Sequence, residues 1–438
     1  MASLGFVESA VEAILQLRPF TFRRSIHAPA YRRRWRSHGP LGLAVAFFLL
    51  QEWLSLEELR SLLQDEGVAA MHTEGFLDVG VRGIRSRVDL YPCLGSYFFT
   101  DSAFELEPWP EQVYWLGGDS YTLAYCTPRR AYTRSLDLCS GSGVHALLAG
   151  CPGLAVDINP RAIEFGRLNA RLNEVSGVEF VQGDCLSQGG QYDLVTLNPP
   201  FVPTPEGIAE LYRTGGGSGE GVTERVMRGL PQRLDVGGLF SMATEAPRCG
   251  AQSPLVRMRE WLGAGWGLAG LNKFEFPIED YIFSNILSSA VESRDQEAEY
   301  ERWLDSYEAF GITSMVSAQF FAVRLLEGCE DWAYERDFPH PLGPRGQICG
   351  DWLRALQAWH SRWPADFVPR LQTSVFLGSE GGLAQFGPEW AGSPIPLSAA
   401  HCAVLGQIQR GTRLEDIQDQ ESLRFLGGHM VITNWSEK

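Results

Sequence analysis

The sequence predicts an α/β protein built on a doubly wound, mostly parallel sheet, and two observations carry that prediction. From Ser135 onward short apolar runs (SLDL, LAVDI, VEFVQGD, YDLVTLNPPF, GGLFSMATE, SAQFFAVRLL) alternate with helical stretches, the pattern of strands covered by helices on both faces. The first run ends in a glycine-rich turn, LDLCSGSG, that leads straight into a helix beginning near Val144. A chain of 438 residues is too long for one core and suggests about three domains at ~100 to 200 residues each. The expected divisions are 1–110, 111–330 and 331–438.

Before the sheet, VESAVEAILQL places Val7, Val11, Ile14 and Leu15 at helical spacing, and a second helix is expected over 41–53. Ser55 followed by Glu58 is a capping-box start for a third, which Gly67 should end. GFLDVGVRGIRSRVDL, residues 75–90, alternates apolar and polar around Gly80 and Gly83 as a hairpin does. Helices followed by a hairpin suggest a winged-helix-like first domain. After about residue 330 the alternation stops. The last hundred residues carry Trp332, Trp352, Trp359, Trp363 and Trp390 among Pro/Gly-rich loops. SAAHCAVLGQIQRG and SLRFLGGHMVI look like a helix and a terminal strand pair, making a small α+β domain.

Composition narrows the function. Nine scattered cysteines without a CxxC pair indicate neither a disulfide framework nor a zinc site. The run Leu41 to Leu50 is about half a membrane span, so the chain reads as cytoplasmic with no membrane partner. A formal charge of −16 and only two lysines, Lys273 and Lys438, disfavour a general nucleic-acid binder, which needs surplus cations to neutralise phosphates. The first 40 residues nevertheless hold seven arginines, among them Arg23, Arg24, Arg32, Arg33, Arg34 and Arg36. They read either as a helix end pairing with an acidic body or as a polyanion-binding arm.

The chemistry concentrates between 135 and 202. Gly141 and Gly143 let the backbone approach a ligand closely, and Asp137 stands at the strand end. Asp157, twenty residues on, ends the next strand, where a carboxylate accepts both hydroxyls of a ribose. Asp184 ends the third, in place to accept from an adenine amino group. A nicotinamide enzyme also wants a glycine loop and such an acid, but it leaves Asn198-Pro199-Pro200-Phe201 after the fourth strand unexplained, as well as Cys139 in place of a glycine. Asn198 Oδ1 and the Pro199 carbonyl are two acceptors fixed in direction. Together they grip an NH2 group while Phe201 covers a flat acceptor.

On these motifs residues 135–202 resemble class I S-adenosylmethionine-dependent methyltransferases, of the HemK-like amino-methylating group with an Asn/Asp-Pro-Pro-aromatic motif. More of the chain, roughly 40–330, resembles bacterial predicted methyltransferases with a winged-helix-like N-terminal segment. The resemblance implies a Rossmann-like methyltransferase sheet, with S-adenosyl-L-methionine as cofactor, S-adenosyl-L-homocysteine as its product and no metal. It also implies that Asp137, Cys139, Gly141 and Gly143 surround the methionine part. Asp157 and Ile158 would hold the ribose side, Asp184 and Cys185 the adenine side, and Asn198 both cofactor and acceptor nitrogen. Phe201 replaces the common tyrosine. Ser120 and Thr122 in LGGDSYTL, read as an upstream lid, Glu220 in the loop 213–224 and Tyr281 join Phe201 as candidate acceptor contacts. A protein side chain or a metabolite is the favoured acceptor. RNA or DNA amino groups, O-methylation, and a non-catalytic cofactor-binding regulator are the alternatives.

Overall fold

Four helices lead the chain: α1 (Glu8–Leu15), α2 (Ala28–Trp35), α3 (Gly39–Leu49) and α4 (Leu56–Thr73). The computed structural model describes residues 1–17, 20–22, 27–103, 111–207, 212–288, 296–338, 345–359 and shorter stretches between 370 and 433. Arg23 and Arg24 of the arginine cluster, and Trp363 and Trp390, lie outside the described residues. The capping box forms as the sequence requires: Ser55 Oγ accepts from the Glu58 amide at 3.2 Å and Glu58 Oε2 accepts from the Ser55 amide at 2.8 Å. Gly67 does not end the helix. α4 runs on to Thr73 and breaks direction instead at Gln64, φ 60° and ψ 174°. Packing of Leu59, Leu62 and Met71 against the core outweighs one glycine's cost of about 1 kcal/mol. Two hairpins follow, β1 (Leu77–Gly80) with β2 (Gly83–Ser86) and β3 (Val88–Cys93) with β4 (Ser96–Asp101).

The central sheet has eight strands: β5 (Ser135–Leu138), β6 (Gly153–Asp157), β7 (Val178–Gln182), β8 (Tyr192–Leu197), β9 (Leu234–Cys249), β10 (Trp266–Pro277), β11 (Ile312–Arg324) and β12 (Trp332–Asp337). Their order is β12-β10-β11-β9-β8-β5-β6-β7. β5 to β9 pair in parallel, β11 runs antiparallel to both neighbours, and β12 is parallel to β10. This is the doubly wound α/β sheet expected, extended by β10, which was not among the runs expected as strands, and by β12, which falls where loops were expected. Trp332 is a buried strand residue. Strand order reverses between β5 and β8, so the crevice at their carboxyl ends is a topological switch point, where such sheets bind ligands.

Helices α5 (Gly118–Cys126), α6 (Val144–Leu148), α7 (Pro160–Leu172), α8 (Gly221–Gly229), α9 (Pro254–Leu262), α10 (Ile278–Ser288), α11 (Gln296–Ala309) and α12 (Gly346–Trp359) accompany the sheet. One apolar core joins α6, α7 and Phe180 to the leading helices and hairpins, and a second joins β5, β6, β8 and β9 to α8 and α9. Near the end come α13 (Ala399–Gln409) and α14 (Gln420–Gly428). SLRFLGG is therefore helical rather than a strand, and among the described residues beyond it Ile432–Thr433 pairs with Arg370–Leu371.

Gly166 lets α7 sit on β7: a Cβ there would lie 2.3 Å from Phe180 Cε1. Gly166→Ala is therefore expected to lower the unfolding free energy by about 1–3 kcal/mol, despite alanine's helix preference. Phe180→Ala in the same chain should relieve part of that loss, as chemical denaturation of the single and double variants would reveal.

Candidate active site

The turn after β5 is built from left-handed residues, Cys139 at φ 54°, Gly141 at 52° and Gly143 at 82°. A Cβ on Gly143 would stand 2.7 Å from Phe180 Cε1, whereas one on Gly141 would meet nothing within 4 Å. Gly143 is thus fixed by packing and Gly141 borders open space. Asp157, at the end of β6, accepts from the Gly141 amide at 2.8 Å and from the Asn159 amide at 2.9 Å. The carboxylate ties the glycine turn to the second strand and retains unused lone pairs. Burial raises its pKa, and these backbone hydrogen bonds oppose the rise. Beside it Ile158 is 58% exposed, an apolar surface that suits the flat face of an adenine.

Asp137 is buried and spends both oxygens inside the protein, Oδ2 on the Ala146 amide at 3.1 Å and Oδ1 on the Thr196 hydroxyl at 2.7 Å. It fixes α6 and β8 against β5. Burial pushes its carboxyl up to about 7, and burial likewise lifts Glu245 to about 7. Unfolded, both titrate near about 4, so between about pH 4 and 7 the folded chain binds more protons. Their contribution to stability is then full at the acid end of this window and lost as pH rises through 7. The thermal midpoint should accordingly fall between pH 5.5 and 8, with a flatter dependence in Asp137→Asn.

Asp184 lies exposed in an ion pair with Arg225 of α8 at 2.8 Å. Cys139 and Cys185 face each other across the crevice floor, sulfur to sulfur 3.3 Å, as free thiols.

Asn198 follows β8, and its two amide atoms fare differently. Nδ2 donates to Asp119 Oδ2 at 2.8 Å and approaches Ser120 Oγ at 3.4 Å, while Oδ1 is buried with no partner. An orphaned buried acceptor costs about 1–3 kcal/mol, so this site awaits a donor. Phe201 packs on the cluster that contains Tyr281, Ile282, Trp303 and Tyr307. Ser120 and Thr122 stand in α5, a packed helix in place of the expected lid. Thr122 Oγ1 accepts from Lys273 Nζ at 3.0 Å.

Lys273, the only lysine among the described residues, is the extra residue of a bulge where the β10–β11 register slips between Asn272 and Phe274. Bulges re-aim side chains beside active sites. Burial lowers the Lys273 pKa, and Glu245 and Asp119 oppose that shift as its nearby negative charges. The Tyr281 hydroxyl stands close enough to Glu245 to favour its ionised form but makes no formed hydrogen bond.

Glu220, at the N-terminal cap of α8, makes a paired contact with Arg257, 2.9 Å to each oxygen. The loop it belonged to ends earlier than expected. Thr223 and Glu224 already lie in α8, and residues 213–216 fold back on 202–204 through backbone hydrogen bonds. Asp119, Tyr114, Glu245 and Lys273 were not singled out by the sequence. Asp119 is inside LGGDSYTL, where one acid in a helical first turn is an ordinary feature.

Residues 119–243 match the methyltransferase small domain family. The chain is similar to the ribosomal protein uL3 glutamine methyltransferase of Xanthomonas campestris, 31% identical over 142 residues, 29% of this chain and 42% of that one. It is also similar to the release factor glutamine methyltransferase of Chlorobaculum tepidum, 31% over 179 residues, 38% and 60%. With mouse methyltransferase HEMK2 it shares 34% over 125 residues, 25% and 58%. The chain spans between 42% and 60% of the length of these relatives. Fold, glycine turn and family match together define a class I methyltransferase domain whose cofactor is S-adenosyl-L-methionine. Over this stretch the chain is similar to the two glutamine methyltransferases named above. Among the described residues no group of three or more His, Cys, Asp or Glu could hold a metal ion, and no helix is long and apolar enough to cross a membrane.

Proposed function

We propose that this chain methylates a nitrogen, on a protein side chain or a small molecule, using S-adenosyl-L-methionine. The observation that carries the reading is Asn198 Oδ1, a buried acceptor without a partner at the carboxyl end of β8. The two named glutamine methyltransferases among the relatives make a side-chain amide the first acceptor to test. Asp157 and Ile158 would hold the ribose and adenine side, the turn Cys139–Gly143 the methionine side, and Asp184 would lend its carboxylate at the rim.

The bound cofactor supplies an electrophilic methyl group on a good leaving group. What the protein adds is position. An amide or aromatic amine nitrogen is a weak nucleophile because its lone pair is delocalised, and acceptors at Asn198 Oδ1 and the Pro199 carbonyl hold its hydrogens so that the lone pair faces the donor. Phe201 would cover one face of the acceptor and exclude water, with Ser120, Thr122 and Tyr281 bordering the same space. The front helices and hairpins, which we read as a winged-helix-like grip, would meet a larger substrate. Nucleic acid is the weaker reading, since Arg32 is spent on Glu52 at 2.5 Å and Arg34 on the Leu15 carbonyl.

The test is transfer of labelled methyl from S-adenosyl-L-methionine to peptides carrying glutamine, lysine or arginine, followed by mild alkali. Label on nitrogen survives alkali. Release of the label would mean a carboxyl ester and would overturn the reading.

A further inference from the structure

Asn198 is useful to an acceptor nitrogen only if its oxygen faces the acceptor, and an amide side chain can turn over by half a rotation with little change of shape. What decides its orientation here is one residue. Asp119, in the first turn of α5, takes the Asn198 Nδ2 hydrogen at 2.8 Å. A flipped amide would instead set its oxygen 2.8 Å from a carboxylate oxygen, lone pairs against lone pairs, in a place with little water. A hydrogen bond to an ionised acceptor is roughly twice as strong as a neutral one. The other Asp119 oxygen accepts from the Tyr114 hydroxyl at 2.9 Å. Tyr114 stacks on Tyr212, centroids 5.8 Å apart and 17° from parallel. Burial raises the Tyr114 pKa well above its ordinary value, so it stays protonated and remains a donor.

We propose that Asp119, buttressed by Tyr114, is the positioning residue that locks Asn198 with its oxygen toward the acceptor and thereby restricts the site to acceptors that bring an N–H. This rests on the reading of Asn198 as the acceptor's grip and deepens it. With Nδ2 consumed by Asp119, the site offers the substrate an acceptor and no donor from this side chain. A carboxylate acceptor, which has no hydrogen to give, would meet the Asn198 oxygen as a repulsive neighbour. Nitrogen methylation is selected over carboxyl methylation by a residue that touches neither reactant.

The lock is measurable without knowing the substrate. Sinefungin carries an amine-bearing carbon where S-adenosylmethionine has its sulfonium, so its amine occupies the place of the reacting groups. Calorimetry gives the ratio of dissociation constants, S-adenosylhomocysteine over sinefungin, in which effects common to both ligands cancel. One charge-assisted hydrogen bond of about 1.5 kcal/mol sets the expected wild-type ratio at about tenfold or more. Asn198→Ala should bring it to about 1, Asp119→Ala should lower it about fivefold or more, and Tyr114→Phe should fall between wild type and Asp119→Ala.

Asp119→Ala made in the Asn198→Ala background separates positioning from charge, because there the carboxylate's route through Asn198 is already gone. A ratio unchanged within about threefold from that of Asn198→Ala supports the lock. A larger further fall overturns it in favour of plain attraction between carboxylate and amine. A wild-type ratio in Asp119→Ala also overturns it. If the unmodified protein shows no preference, the reading of Asn198 itself is what fails, and the two failures are told apart by the same five proteins.

Discussion

Asn198→Ala is expected to reduce methyl transfer by ~100- to 1,000-fold while changing cofactor affinity far less. Losing one preorganised hydrogen-bonding group at a reacting centre costs on this scale, about 3–4 kcal/mol. Here the lost group is the buried, unpartnered Oδ1, and nothing else at the end of β8 replaces it except the Pro199 carbonyl. The variant should fold, because the part of Asn198 that is bonded within the protein reaches only Asp119 and Ser120. Single-turnover label transfer measures the rate and calorimetry with S-adenosylhomocysteine the affinity. Equal losses in both would mean that Asn198 holds cofactor rather than acceptor.

Asp157→Ala should have the opposite signature, a rise of ~10- to 100-fold in the S-adenosylhomocysteine dissociation constant, as expected for losing charged hydrogen bonds of about 1.5–3 kcal/mol to the ribose. Part of the loss is indirect. The Gly141 amide gives up its partner, and a turn made of three left-handed residues loses the contact that ties it to β6. Because burial raises the Asp157 pKa, affinity in the wild type should also decline on acidification, and Asp157→Asn should remove that dependence. Titrations at two pH values on the three proteins check both statements.

The parallel half of the sheet was legible because β5, β6, β8 and β9 are buried on both faces and read as apolar runs between turn residues. β10 and β12 were not. Beyond Leu271, β10 becomes half-exposed and mixed in character, and β12 alternates Trp332 with partly exposed residues, so neither stands out from loop. Asp137, Asp157 and Asn198 stand out in the sequence because each lies at or beside the carboxyl end of a strand, a position that spacing reveals. Glu245, Lys273 and Asp119 stand together through pairing of β9 with β11, the bulge in β10 and the docking of α5. Sequence separation hides such contacts: Lys273 reaches Thr122 across 151 positions. The pairing of Glu220 with Arg257 was hidden for a related reason, since the two lie on different helices.

One clamp on the far side of the sheet governs how the molecule comes apart. Asn169 on α7 and Asn173, which caps its carboxyl end one turn later, each use both amide atoms, accepting from the Phe99 and Tyr97 amides and donating to the same residues' carbonyls. Two side chains thereby act as a short extra strand for the open edge of β4, and half-buried Arg161 adds an ion pair with buried Asp101. Peeling the first hundred residues away would strand four backbone groups and a carboxylate at once, so the front of the chain and the helix behind the cofactor crevice should melt as a single cooperative unit.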